Sequence, residues 1–240
     1  MSVRKIRGIV IREQQTGESS KQIVVLAKEM GKVRLSARGA KNTKSRLLAG
    51  TQLFCYCDFT VYEGRGFLSV TQADLIESFY ALRNDVEVLA QAVYLAELVD
   101  STCPAGMEHD NILKLLLYTM QVMAKGYLPP KLAGRIFEMK YLQYSGFLAS
   151  ADCVTCGEQA QYFDQREATF YCKQHRSREA VLLSRAVVQA LDYVLEEEGK
   201  KLFAFRLSPE ALKQLDAVLR QYLQMHVGVD LKSRRFAVDI

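Results

Sequence analysis

The sequence predicts an α+β chain in two parts, a small closed β-barrel followed by a helical domain that carries a cysteine-rich insert. Three observations predict it. Residues 3–71 break into short Val- and Ile-rich runs separated by turn signals. From Glu77 onward the apolar residues recur at helical spacing. Three cysteines and a histidine then fall in two tight pairs between residues 153 and 175.

The first three strands are expected at residues 3–13, 22–28 and 32–38, with turns at Gln15-Thr16-Gly17-Glu18 and Glu29-Met30-Gly31. In the third, Val33, Leu35 and Ala37 alternate with Lys32, Arg34, Ser36 and Arg38, which puts the cations on the face away from the core. A basic loop, Gly39–Gly50, follows. A fourth strand is expected over Thr51–Thr60, then a hairpin turn at Glu63-Gly64-Arg65-Gly66 and a fifth strand at Phe67–Thr71. Five strands this short form too small a sheet to stand open, and closing it removes the edges; a five-stranded barrel of this kind is the OB-fold. Such barrels bind single strands by combining a basic groove with stacking aromatics. Phe54 and Tyr56 either supply those aromatics or, as expected here, pack beneath the helical domain.

In the second part, Val86–Val99 forms two apolar stripes of one central helix, and Ile112–Met123 is apolar nearly all round, as a buried helix is. Pro129-Pro130 opens a helix over Lys131–Ser145. Ser184–Glu198 is another, and Ser208-Pro209-Glu210 caps a last one running to Met225. The expected domains are therefore the barrel at 1–76 and the helical domain at 77–240, containing an insert at 150–178.

Composition bounds the function. The chain has 240 residues, 49% hydrophobic and 25% charged, which is ordinary for a folded protein with a real core. The N-terminus has no apolar signal segment, and the longest apolar stretch is too short to span a bilayer, so a soluble cytoplasmic protein is expected, with no membrane partner. The net charge of +5 is unevenly spread: residues 1–50 hold twelve Lys/Arg and three Asp/Glu, and the rest is net acidic. Between Lys32 and Arg46 lie Lys32, Arg34, Arg38, Lys41, Lys44 and Arg46 with no acid between them. Solvated faces usually mix both signs, so this run points to a polyanion partner.

The insert reads Cys153-x2-Cys156-x15-Cys172-x2-His175. Two-residue spacing lets each pair reach one ion from a tight knuckle, and two knuckles complete a tetrahedron, so a zinc ribbon with strands near 161–164 and 168–171 is expected. Four protein ligands leave no open position, which makes the zinc structural. Disulfides are not expected in a reducing compartment. His109 and His226 have no ligand partners nearby and read as surface or cap residues.

No catalytic residues are expected. Gly39–Ser45 resembles a P-loop superficially but lacks its second glycine, and there is no G-x-S-x-G, H-E-x-x-H or deaminase H-x-E signature. The residues by themselves support a nucleic-acid-binding barrel with a structural zinc. They leave open an RNA-binding OB/zinc-ribbon protein of translation or tRNA handling, and an enzyme with an unrecognised site.

Four segments carry a family resemblance. Gly31–Lys44, GKVRLSARGAKNTK, fits a G-x-[VL]-x-x-x-[AV]-[KR]-G-[AV] strand and basic loop. Phe79-Tyr80-Ala81-Leu82-Arg83 lies at a barrel-to-bundle junction, and Arg135-Ile136-Phe137-Glu138, Leu142 and Gly146-Phe147 lead into the cysteine module. Leu231-Lys232-Ser233-Arg234-Arg235-Phe236 ends the pattern. In this order they resemble the RecO family of bacterial recombination mediators. His175 departs from relatives with four cysteines, and others have lost the ligands, which suggests that zinc supports folding. The resemblance implies a non-enzymatic, nucleoid-associated protein that binds single- and double-stranded DNA and anneals complementary strands. It further implies cooperation with RecR in loading RecA onto strands coated by single-strand-binding protein (SSB).

Overall fold

The computed structural model describes residues 2–64, 66–229 and 231–239. Arg65, in the turn expected after the fourth strand, lies outside the described residues, as do the side chains of Lys232 and Arg235. The chain divides into two compact units, residues 1–120 and 121–240.

The first unit begins with the expected barrel. Its strands are β1 (Ser2–Thr16), β2 (Ser20–Ala27), β3 (Gly31–Ala37), β4 (Tyr56–Glu63) and β5 (Leu68–Glu77), closed in the order β1-β2-β3-β5-β4. Only β3 and β5 run parallel, meeting at Ser36 and Ser69. Closure depends on the length of β1, which pairs β4 along its first half and β2 along its second. At the overlap sits Gly8, where a Cβ would come within 2.5 Å of the Leu26 carbonyl, so only glycine lets the strands approach. Inside, Ile6, Val10, Ile23, Val25, Leu35, Phe59, Val61 and Val70 form one apolar cluster.

The start of the fourth strand differs from expectation. The fourth strand does not start at Thr51. Residues 39–54 run as successive turns, and Phe54 sits at φ 70, which breaks strand geometry until Tyr56. Phe54 is fully buried, as expected, with the Arg83 guanidinium 5.7 Å from its ring, so it is closed to stacking. Cys55 and Cys57 both lie in the core, where burial raises the Cys55 thiol and pushes Cys57 up to about 12; they act as small apolar groups. After a 3₁₀ turn at Tyr80–Arg83 come α1 (Val86–Thr102) and α2 (Asp110–Ala124). The Asp85 carboxylate caps α1, accepting from the N–H groups of Glu87 (2.8 Å) and Val88 (3.1 Å).

In α2 the expected all-round burial is not found, because Asn111, Lys114 and Gln121 form an exposed edge. The most buried helix belongs to the second unit: α3 (Pro130–Tyr144), buried at every position from Leu132 to Leu142. It carries Arg135, Glu138 and Lys140 into the interior. Arg135 contacts Glu138 (3.2 Å) and Asp216, and Arg234 bonds Glu138 (3.0 Å) and Asp216 (3.2 Å). These pairs tie α3 to α5 (Pro209–Tyr222) and α6 (Lys232–Asp239). Lys140 reaches Glu198 at 2.9 Å, beyond α4 (Arg185–Glu196). Ser208 caps α5 as expected and Ser184 caps α4, but α5 gives way to a π-helical turn, Leu223–Val227, before reaching Met225. Among the described residues no helix is long and apolar enough to cross a membrane.

Candidate nucleic-acid interface and metal centre

The basic face is built by β3 and the turns that follow it. The alternation in β3 turns Leu35 and Ala37 inward and Arg34 outward. Arg38, Lys44 and Arg46 are exposed, and Lys41 is half-buried with its Nζ donating to Gln15 Oε1 at 3.0 Å. Beside Lys41 lies a recess of about 390 Å³ lined by Glu13, Gln14, Gln15, Lys21, Lys41 and Leu48.

Ion pairing sorts the N-terminal cations into two sets. Arg4 meets Glu63, Arg7 meets Asp58, Arg12 meets Asp100, Lys21 meets Glu13 and Lys28 meets Glu29, each within 3 Å. Lys32 joins this paired set. Its Nζ donates to the Asp100 carbonyl and lies 3.6 Å from the Asp100 carboxylate, so it buttresses the barrel against α1 instead of facing solvent with Arg34. The turn before it is pressed just as close: a Cβ on Gly31, at φ 64, would overlap the Met107 carbonyl. Among the described residues, Arg34, Arg38, Lys41, Lys44 and Arg46 have no acidic partner, and neither does Lys5, which stands apart from them on β1.

One barrel residue of this face was not singled out from the sequence. Phe67, on the β4–β5 connection, is 46% exposed, and the Arg38 guanidinium lies 5.9 Å from its ring centroid. Its place after Gly66 in a turn was visible in the sequence, but the strand reading put it at the start of β5.

The metal centre is assembled in the second unit. Strands β6 (Tyr162–Asp164) and β7 (Thr169–Tyr171) form the expected hairpin, and a third strand not foreseen, β8 (Val181–Leu182), pairs with β6. The first knuckle is shaped by bonds from Gly157 N–H to the Cys153 carbonyl (2.8 Å) and from Cys153 N–H to the Glu158 carbonyl (2.8 Å). The ligand atoms of Cys153, Cys156, Cys172 and His175 lie within 4.8 Å of one another. Cys156 Sγ is 3.7 Å from Cys172 Sγ, and His175 Nδ1 is 3.3 Å from Cys172 Sγ and 3.8 Å from Cys153 Sγ. A disulfide needs about 2.05 Å. The edges of a tetrahedron of metal–thiolate and metal–imidazole bonds run about 3.5–3.8 Å, so the donor set fits one metal ion.

His226 proves more than a cap. Its Nε2 contacts the Ala168 carbonyl at 2.8 Å, and its ring packs on Tyr222 at 4.3 Å. Tyr222 in turn meets Phe170 and donates to the Phe147 carbonyl at 2.7 Å, so α5 and the π-helical turn dock the module. His109 stays at the surface, contacting the Pro104 carbonyl at 3.2 Å.

Residues 1–79 match the family "Recombination protein O N terminal", and residues 83–235 match "Recombination protein O C terminal". Relatives called DNA repair protein RecO span nearly the whole chain. The one from Alkaliphilus metalliredigens is 33% identical, covering 98% of this chain and 99% of its own. That from Halalkalibacterium halodurans is 34% identical over 97% of this chain and 93% of its own, and that from Acetivibrio thermocellus is 32% identical over 93% and 92%. A closed basic barrel, a helical region and a three-cysteine, one-histidine ribbon, matched along both family regions, make this chain a member of the RecO family.

Proposed function

We propose that this chain works in DNA repair as a recombination mediator that performs no covalent chemistry. It binds single- and double-stranded DNA through the barrel face of Arg34, Arg38, Lys41, Lys44 and Arg46. The supporting observation is the clustering of unpaired cations: Arg4, Arg7, Arg12, Lys21, Lys28 and Lys32 each meet a carboxylate, while these five, gathered on β3 and the turns after it, have none among the described residues, and Lys5 on β1 is the one other N-terminal cation without one. Open cations of this kind hold phosphates and release counterions whatever the base sequence. Such binding brings complementary strands together for annealing. In the family's manner the chain then acts with RecR to help load RecA onto SSB-coated strands. The ion at Cys153, Cys156, Cys172 and His175 is zinc, which suits three thiolates and an imidazole in tetrahedral array; when bound it supplies a cross-link and no reactive position.

The test is binding of 5′-labelled single-stranded DNA across a salt series. Five neutralised phosphates give a slope of log K against log salt near −3.5. The triple variant R38A/K41A/K44A is expected to weaken all sequences alike and bring the slope to about −1.4. Unchanged affinity and slope would remove this face from the interface. Annealing should proceed without ATP, and a strict requirement for its hydrolysis by the purified protein would overturn the non-enzymatic reading. Clear preference for RNA over DNA of the same sequence would favour an RNA-binding role instead.

A further inference from the structure

We propose that Phe67 is the stacking platform on which this barrel takes an unpaired nucleobase. The inference deepens the DNA-binding reading and rests on it. The barrel has five aromatic residues: Phe54 and Phe59 are buried, Tyr56 and Tyr62 are half-buried, and only Phe67 is exposed. Phe67 takes no part in the barrel's apolar cluster.

Its surroundings hold the ring in place. Gly64 N–H donates to the Phe67 carbonyl at 2.9 Å, closing the turn. The far end of the ring lies over Gly64, where a Cβ would come within 2.6 Å of Cζ. Arg38 stands at the ring, 5.9 Å from its centroid. Arg38 also belongs to the cluster of cations on this face without an acidic partner, so one side chain can support the ring and meet the phosphate of a base lying on it. Loops after β4 and the β2–β3 face are where barrels of this architecture take oligonucleotides.

The ring distinguishes strand types. In a duplex both faces of an inner base are covered by its neighbours, so only an unstacked base can lie on Phe67. The phosphate-holding cations make no such distinction. Phe67 thus adds a preference for single strands to a surface that holds either form.

The experiment compares Phe67→Ala, Phe67→Leu and Phe67→Tyr with the unaltered protein on three probes. These are an oligothymidylate of about 16 nucleotides, near the largest site for one such barrel; an abasic oligonucleotide of equal length; and a blunt duplex. Phe67→Ala and Phe67→Leu are expected to weaken the oligothymidylate on the order of tenfold, the scale of one lost base–aromatic stack. They should leave the abasic strand and the duplex unchanged, and Phe67→Tyr should retain binding. Gly64→Ala, which pushes the ring aside while keeping it, should give a smaller loss on the oligothymidylate alone. Undiminished binding of the oligothymidylate, or an equal loss on the abasic strand, would overturn the stacking role while leaving the phosphate-binding face intact. If the unaltered protein bound none of the three probes, the DNA-binding reading itself would fail.

Discussion

In the barrel, fourteen buried residues from all five strands and the following turns meet inside a closed sheet. In the ribbon, strands of three, three and two residues enclose little more than Phe163 and Phe170, whose rings pack 5.1 Å apart. The barrel can draw its stability from apolar burial, at roughly 25 cal/mol per Å² removed from water. The ribbon, 23 residues from Cys153 to His175, buries too little to fold by that means. Its order has to come from the ion and from docking on Tyr222 and His226. The lesson is that the two β structures should fail under different insults.

The largest effect expected from that contrast follows metal removal. Binding to such a site contributes on the order of 10 kcal/mol in zinc-finger peptides, and here that energy should be the ribbon's folding energy. Cys156→Ala, or a strong chelator, should release the ion and remove hydrogen-exchange protection across residues 152–176. Residues 2–77 should keep their protection and single-stranded DNA should still bind. Metal content by mass spectrometry, exchange and DNA affinity on one preparation check this. Full metal occupancy in Cys156→Ala would refute the ligand set, and lost DNA binding with a protected barrel would make the ribbon itself a DNA contact.

A smaller but still large effect is expected where the two strategies mix, in the helices around α3. There Glu138 is wholly buried and held by Arg135 and Arg234. Arg234→Met leaves Glu138 and Asp216 sharing one cation, and breaking a buried pair of this kind costs about 3–5 kcal/mol. Adding Glu138→Leu should restore part of the loss, because the Arg135–Asp216 pair is then left balanced. Denaturant midpoints for the two single variants and the double variant give the coupling. Strictly additive losses would show that the charges act independently.

These regions were legible in the sequence to different degrees, for physical reasons. The barrel was readable because alternation such as Val33-Arg34-Leu35 records which side of a strand faces the core. The metal site was readable because knuckle spacing is local. The α3 network was not, since Arg135, Glu138 and Lys140 look like an exposed helix face until partners 81 and 96 residues away are known. The same holds for Lys32, grouped with the open cations by proximity in sequence but held by Asp100, 68 residues on. The burial of Phe54 was legible but its backbone was not, because the extended backbone of a strand and the left-handed φ it adopts are equally silent in a run such as Leu53-Phe54-Cys55.

The smallest expected effect tests a joint that relies on neither a core nor an ion. Beyond the barrel, Asp85 begins α1 by accepting two backbone N–H bonds, and it is exposed. The carboxylate satisfies donors that the helix cannot, and its charge favours the positive end of the helix dipole. Asp85→Ala should cost about 1 kcal/mol. In a chain of this size that lowers the melting temperature by about 2–4 °C. Asp85→Asn should recover most of it, since the amide oxygen still caps. Exchange should quicken in the first turn of α1 while the barrel strands and the ribbon keep their protection, because the variant touches neither the apolar cluster nor the four ligands. A loss several times larger, or one that spread into β1–β5, would mean that the barrel depends on this helix start for its stability and that its core alone does not hold it.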